Sequence, residues 1–272
     1  MWCICRATSS RTSSPRCWPS RSTEPSRDCW QRSHPFVPES IEFRAAGVRT
    51  HPEGRTLLEP LDLLLAERRI SVIGANGSGK STLLRLINGL LLPTEGTVAV
   101  HGNDTRTMGR TVRRSVGFVF TDPLSQLVMP TGREDVELSL RTLRLSSGDR
   151  RSRAGEVLRR FGIDHLADRS SYDLSGGERQ ILALAVVLAT EPRILVADEP
   201  TTLLDLRNDA RVRSLIAGLD QQVVFTTHNL DFALESDRTL VLDAGRIVFD
   251  GPADDAVAHY RQLCSCAPLG GP

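Results

Sequence analysis

Eight consecutive residues, Gly74-Ala75-Asn76-Gly77-Ser78-Gly79-Lys80-Ser81, carry the strongest chemical signal in the chain. Their types and spacing, G-x-x-x-x-G-K-[ST], are those of a loop that cradles phosphates. Glycines let successive backbone N–H groups turn toward an anion. A helix that starts at the end of the loop aims its positive pole at the same point. Lys80 is expected to reach the β- and γ-phosphates of a nucleotide, and the Ser81 hydroxyl to hold Mg²⁺. Thr82, the next residue, belongs to the same expected nucleotide site. Lys80 is also the only lysine in the sequence. A compact, flexible point charge is kept where a phosphate binder needs one, while arginine serves elsewhere.

A loop of this kind needs a strand before it and a helix after it. Residues 70–73, Ile-Ser-Val-Ile, read as a short buried strand, and residues 82–87 as a helix. Structure is expected to begin near Ile41, where residues 41–45 alternate like a half-buried strand. Residues 51–54 read as a turn, and residues 57–65 return toward the loop. Residues 97–100 and 116–120 are further strands. The middle is mostly helical: residues 134–144 and 153–161 show apolar positions at helical spacing. From Ser175 a strongly apolar helix runs to about Ala189. Strands at 194–197 and 222–226 then alternate with a helix around 209–219, a pattern that argues for a parallel sheet covered by helices. Residues 239–242 and 246–249 flank Asp243-Ala244-Gly245, a hairpin signal. A last helix is placed at 256–263.

Length and composition bound the reading. At 272 residues the chain has ample length for a sizeable core. The net charge of +1 gives no overall field for a nucleic-acid partner. The longest apolar run, residues 181–189, is shorter than the roughly 20 residues a bilayer span requires. The six cysteines all lie near the two ends of the chain, consistent with a fold that needs no disulfide. Residues 1–40, rich in Ser, Arg and Pro, are expected to be disordered or to result from a misplaced start. Deleting residues 1–38 should leave nucleotide hydrolysis intact. Residues 264–272 read as a loose tail.

Three more segments follow the loop in a telling order: Leu174-Ser175-Gly176-Gly177-Glu178 before a helix, a strand ending in Asp198-Glu199, and a strand followed by Thr227-His228. With the phosphate loop they resemble the ATP-binding-cassette (ABC) ATPases over residues 41–263. The resemblance implies an α/β fold of the P-loop NTPase type: a RecA-like parallel-sheet core, an N-terminal antiparallel β-subdomain, and a helical signature subdomain at about 122–178. It implies ATP and Mg²⁺ as cofactors. Asp198 would bind Mg²⁺ through water, and Glu199 would polarise the attacking water as general base. His228 matches the switch histidine that contacts the γ-phosphate. Asp205 matches the aspartate that communicates between two sites. Ser175, Gly176 and Gly177 would contact the ATP held by a second subunit, so a homodimer or a related heterodimer is implied.

Two positions depart from the family pattern. Thr121 stands where the family usually has a glutamine that touches Mg²⁺ and the attacking water. It is shorter and would need a bridging water; Gln126 is five residues further on. The aromatic residue that often stacks on adenine is missing, and His51 is the nearest candidate.

The segment from Asp122 to Thr131, followed by Glu134-Asp135-Val136, resembles the ATPases of energy-coupling-factor (ECF) importers. Residues 120–123, 128–131 and 200–208 most resemble those of biotin importers; cobalt, nickel or another vitamin is the alternative solute. The resemblance implies a transmembrane coupling protein docking at residues 124–130, an integral membrane solute-binding component, and a peripheral position on the cytoplasmic face of the cell membrane. A non-transport ABC ATPase acting on nucleic acid or ribosomes is the reading from another class. Such proteins usually carry two cassettes or a long coiled-coil insertion, and this chain has neither.

Overall fold

The structure, a computed structural model, describes residues 40–266. The expectations for residues 1–39 and 267–272 lie outside the described residues.

β1 (Ile41–Arg49) and β2 (Thr56–Leu65) form an antiparallel pair. β3 (Arg69–Gly74) leads into the phosphate loop and α1 (Lys80–Ile87) leaves it. β4 (Glu95–Val100) and the short β5 (Asn103–Asp104) complete an antiparallel sheet in the order β2-β1-β4-β5. Next come α2 (Gly109–Ser115), β6 (Val116–Val119), α3 (Gly132–Leu140), α4 (Ser147–Arg160) and α5 (Gly176–Leu188). The chain continues through β7 (Ile194–Ala197), α6 (Leu206–Ala217), β8 (Gln222–Thr226) and α7 (Leu230–Ala233). It ends with β9 (Arg238–Asp243), β10 (Arg246–Gly251) and α8 (Ala253–Cys266). The second sheet has the order β10-β9-β3-β8-β7-β6, parallel except for β10. This is the expected architecture of a parallel core, an antiparallel β-subdomain and a helical subdomain.

The parallel strands read as near-continuous apolar runs because both of their faces are covered. Their side chains alternate between two cores. Ile194, Val196 and Val224 point to a core shared with α1 and the antiparallel sheet. Leu195, Ala197, Val223 and Phe225 point to a core built with the helices of the middle region. α5 is apolar on nearly every side and is buried on nearly every side.

Several boundaries differ from expectation, each for a local reason. α4 begins at Ser147, six residues before the expected start, because the Ser146 hydroxyl accepts the Asp149 N–H and caps it. α6 begins at Leu206 because the Asp205 carboxylate accepts the Asn208 N–H. The helix expected over 134–144 starts at Gly132, capped by Thr131, and tightens into a 3₁₀ turn at Arg141–Leu143. α8 runs to Cys266, so the tail expected from residue 264 is helical for its first three residues. α2, α7 and β5 carry no clear periodic signal in the sequence.

Candidate functional site

The site lies at the C-terminal ends of β3, β8 and β7, adjacent strands of the parallel sheet. β8 sits between the other two. Val72 of β3 is level with Thr226, and Phe225 is level with Ala197 of β7. That register places Thr226 beside Asp198, the first residue past β7.

Asp198 is buried, and its N–H donates to the Val119 carbonyl at 2.9 Å. Its Oδ1 accepts the Ser81 hydroxyl at 3.1 Å and the Thr226 hydroxyl at 2.8 Å. The same Thr226 oxygen accepts the Glu199 N–H at 2.8 Å. One hydroxyl thus serves as donor to one acid and acceptor from the backbone of the next. Glu199 has a φ of 50°, in the left-handed region. A non-glycine residue held there costs about 1–3 kcal/mol and is found where the surroundings over-determine it, often at active sites. Its carboxylate is gripped at both oxygens. Oε1 lies 2.8 Å from Nε2 of His228, and Oε2 accepts the Thr202 hydroxyl at 2.8 Å.

Lys80 is 5% exposed, and its ammonium donates to the Gly74 and Ala75 carbonyls at 2.9 and 3.0 Å. Burial pulls its pKa down, and the carboxylates of Glu199 and Asp198 oppose the shift. Two of the loop glycines have different jobs. Gly74, at φ 150°, leaves no room for a side chain: a Cβ there would stand 2.1 Å from the Leu242 carbonyl oxygen. Gly77, at φ 78°, has open space where its Cβ would be. It is a conformational requirement with a clear approach for a ligand. Thr82 is half-buried on α1.

The donor set fits Mg²⁺ with a nucleotide. Mg²⁺ takes oxygen ligands, commonly one or two from protein plus phosphates and water. Ser81 Oγ and Asp198 Oδ1 supply two oxygens 3.1 Å apart beside the phosphate loop. Among the described residues no cluster of three or more His, Cys, Asp or Glu forms an all-protein metal cage.

Ser175, Gly176, Gly177 and Asp205 belong to a second cluster. Ser175 caps α5 in a reciprocal box: its hydroxyl accepts the Glu178 N–H, and the Glu178 carboxylate accepts the Ser175 N–H at 2.8 Å. The Ser175 hydroxyl and N–H hold the Glu178 carboxyl below the usual range. Asp205 caps α6. Its Oδ1 accepts the Asn208 N–H at 2.8 Å and its Oδ2 accepts the Asn208 side-chain amide at 2.9 Å, which lowers its pKa.

Thr121 is exposed in the turn after β6. Gln126 is committed elsewhere: its Oε1 accepts the Phe120 N–H at 3.3 Å and its Nε2 donates to the Ala183 carbonyl at 3.0 Å. It braces the turn that carries Thr121 against α5. His51 is exposed in the turn between β1 and β2. On α3, Asp135 Oδ1 accepts the N–H groups of Val128 and Met129, both at 3.0 Å, and holds their backbone onto that helix. Val128 is left 70% exposed. A cavity of about 350 Å³ lies beside Gln126, lined by residues that include Arg114, Phe118, Gln126, Thr142 and Val187.

Thr226 has no site role in the sequence reading, nor do Thr202, Asn208 and Asp135, which enter only as part of the family resemblance. Thr226 had one available signal: a polar last residue on an otherwise apolar strand.

The sequence profile of the ABC transporter family matches residues 61–202. A biotin transport ATP-binding protein of Rhizobium etli is 46% identical over 226 residues, covering 83% of this chain and all of the relative. Among solved structures, the cbiO1 protein of Clostridium perfringens, described as part of an ABC transporter complex, superposes with a TM-score of 0.71 at 28% identity. That match covers 84% of this chain and 95% of the other. A dimeric ATP-binding cassette in a post-hydrolysis state, bound to ADP and phosphate, superposes at 0.72 with 30% identity, covering 78% of this chain and 98% of the other.

Proposed function

The chain belongs to the ABC transporter family, and from that premise we propose that it is the ATP-hydrolysing subunit of an ECF-type importer that takes up biotin. The observation that carries the chemistry is the convergence of Ser81, Asp198, Thr226, Glu199 and His228 at the end of the phosphate loop. Similarity to a biotin transport ATP-binding protein over the whole of that relative and 83% of this chain supports the solute.

In this reading Lys80 exchanges the loop carbonyls for the β- and γ-phosphates, and the N–H groups around Gly77 turn to the same oxygens. Ser81 and Asp198 are the residues that would hold Mg²⁺, which would supply charge neutralisation on the phosphates. Glu199 accepts the proton of the attacking water. Thr202 and His228 fix the carboxylate so that it is already oriented when ATP arrives. The γ-phosphate also needs donors from the far side. Ser175, Gly176 and Gly177 supply them to the ATP of a second ATPase subunit, with Asp205 beside the same interface. Two chains therefore close head to tail around two ATP molecules and reopen after hydrolysis.

That motion is passed to a transmembrane coupling protein seated over Leu124, Val128 and the cavity beside Gln126. An integral membrane component binds the solute. Among the described residues no helix is long and apolar enough to cross a membrane, so the chain reaches the membrane's cytoplasmic face through these partners.

The test is to tag the chain in its native host, extract membranes in mild detergent and identify what co-purifies. A membrane coupling protein and a small integral solute binder carrying biotin support the proposal. Cobalt, nickel or a different vitamin on that binder would change the solute and keep the importer. Recovery of ribosomal or soluble partners alone would overturn transport and leave the ATPase chemistry.

A further inference from the structure

The two glycines at the start of α5 face different surroundings. Nothing lies within 4 Å of the position a Cβ would take on Gly176. On Gly177 a Cβ would stand 2.2 Å from Cγ of Asn208 and 2.5 Å from its Nδ2 and Oδ1. Real Cβ atoms essentially never approach within 3.0 Å of another heavy atom, so the Asn208 amide rests directly on the Cα of Gly177. The same amide donates to Asp205 Oδ2 at 2.9 Å, and the Asn208 N–H donates to Asp205 Oδ1 at 2.8 Å. One side chain therefore touches both the Ser175–Gly177 segment and the Asp205 turn, though Asn208 lies 31 positions after Gly177 in the sequence.

The Asp205 turn projects from the fold. Leu203 and Leu206 on either side of it are 98% and 90% exposed, and Leu203 has a φ of 64°. A projecting turn ordered only when a partner arrives would make closure costlier, since each immobilised segment loses conformational freedom. Asn208 removes part of that freedom in advance.

We propose that Asn208 is a positioning residue that locks the Ser175–Gly177 segment and the Asp205 turn into one rigid piece, presented together to the nucleotide of the neighbouring subunit. Gly177 is glycine because Asn208 occupies the space of its side chain; Gly176 keeps its open side for the ligand. This rests on the reading of both segments as parts of a site shared between two ATPase subunits.

The experiment is a double-mutant cycle on the full chain in the assembly in which it is isolated. It compares Asn208→Ala, Gly177→Ala and the pair, with Ser175→Ala and Gly176→Ala alongside. Turnover is measured by phosphate release, and nucleotide affinity by a fluorescent ATP analogue. Asn208→Ala should lower kcat about tenfold with unchanged affinity for the nucleotide on its own loop. Gly177→Ala should lower kcat about a hundredfold, and adding Asn208→Ala should recover it to the level of the Asn208 single variant, a non-additivity expected of residues in contact. Additive losses, or unchanged kcat in Asn208→Ala, would overturn the lock. If Gly177→Ala does not fold, the split between kcat and affinity in Asn208→Ala decides. If Ser175→Ala and Gly176→Ala leave turnover untouched, the shared-site reading itself fails; if they abolish it while the cycle is additive, only the lock fails.

Discussion

Nε2 of His228 lies 2.8 Å from Oε1 of Glu199, and the other oxygen of that carboxylate accepts the Thr202 hydroxyl. A carboxylate held at both oxygens is oriented before substrate binds. Glu199→Gln should keep nucleotide binding and lower kcat by roughly 10²–10⁴, the contribution of a positioned base. His228→Ala should cost less, because Thr202 still holds one oxygen. Single-turnover phosphate release measures both; a Glu199→Gln protein that hydrolyses at the parent rate would remove Glu199 from the mechanism.

Thr226→Val keeps the shape of the side chain and deletes the hydroxyl that joins Asp198 to the Glu199 backbone. The Glu199 N–H then loses its acceptor, at a cost of about 1–3 kcal/mol. Asp198 loses one of its two hydroxyl partners. A lower melting temperature and a higher Mg²⁺ requirement for hydrolysis are expected. An unchanged Mg²⁺ dependence would show that Thr226 is scaffold alone.

Asp135 is 2% exposed, and burial raises its pKa against the hydrogen bonds from Val128 and Met129. Asp135→Ala removes the acceptor for both N–H groups and should destabilise the chain by about 1–3 kcal/mol. It should also loosen the segment that carries Val128, so recovery of membrane partners should fall more than ATP binding does. Asp135→Asn keeps an acceptor and should be milder. Equal retention of partners in Asp135→Ala would detach this loop from docking.

Glu178 has its carboxyl held low by the Ser175 hydroxyl and N–H. A depressed pKa in the folded state means that its contribution is complete above the ordinary glutamate range and is lost as pH falls through the folded value. Thermal melts should therefore show the parent more stable than Glu178→Gln near neutral pH, with the gap closing on acidification. A gap that is constant with pH would mean that the charge of the cap adds nothing.

Thr121 is exposed next to a turn braced by Gln126. With Gln126 committed to the Phe120 N–H and the Ala183 carbonyl, our proposal is that Thr121 acts through a bridging water. Thr121→Ala should lower hydrolysis in the assembled transporter several-fold, within the range of a water-mediated contact. Full transport-coupled activity in that variant would count against the role.

Much of the site was legible because its signals are local. The phosphate loop needs glycines at set positions, and two acids at the end of an apolar strand stand out against it. The helix starts at Ser147 and Leu206 were not legible as apolar periodicity, since the first turn of α4 is polar and that of α6 has Leu206 as its single apolar residue, which is exposed. Caps at Ser146 and Asp205 set those starts, through hydrogen bonds three residues long. Thr226 was given no role from the sequence, and Asp135 and Asn208 entered only as part of the family resemblance, because each is an ordinary polar residue whose importance depends on what lies opposite it.

From the sequence alone come the chemical inventory and its order along the chain: one lysine in a phosphate-binding loop, an acid pair, a histidine, a glycine-rich helix start. The tertiary structure decided which atoms meet. The Thr226 hydroxyl reaches Asp198, 28 residues away, only because β8 is inserted between β3 and β7 in a register that levels their ends. The Asn208 amide covers Gly177 only because α5 and α6 pack with their N-terminal turns together. Such contacts follow from the packing of whole elements, driven by burial of apolar faces, and no local spacing encodes them.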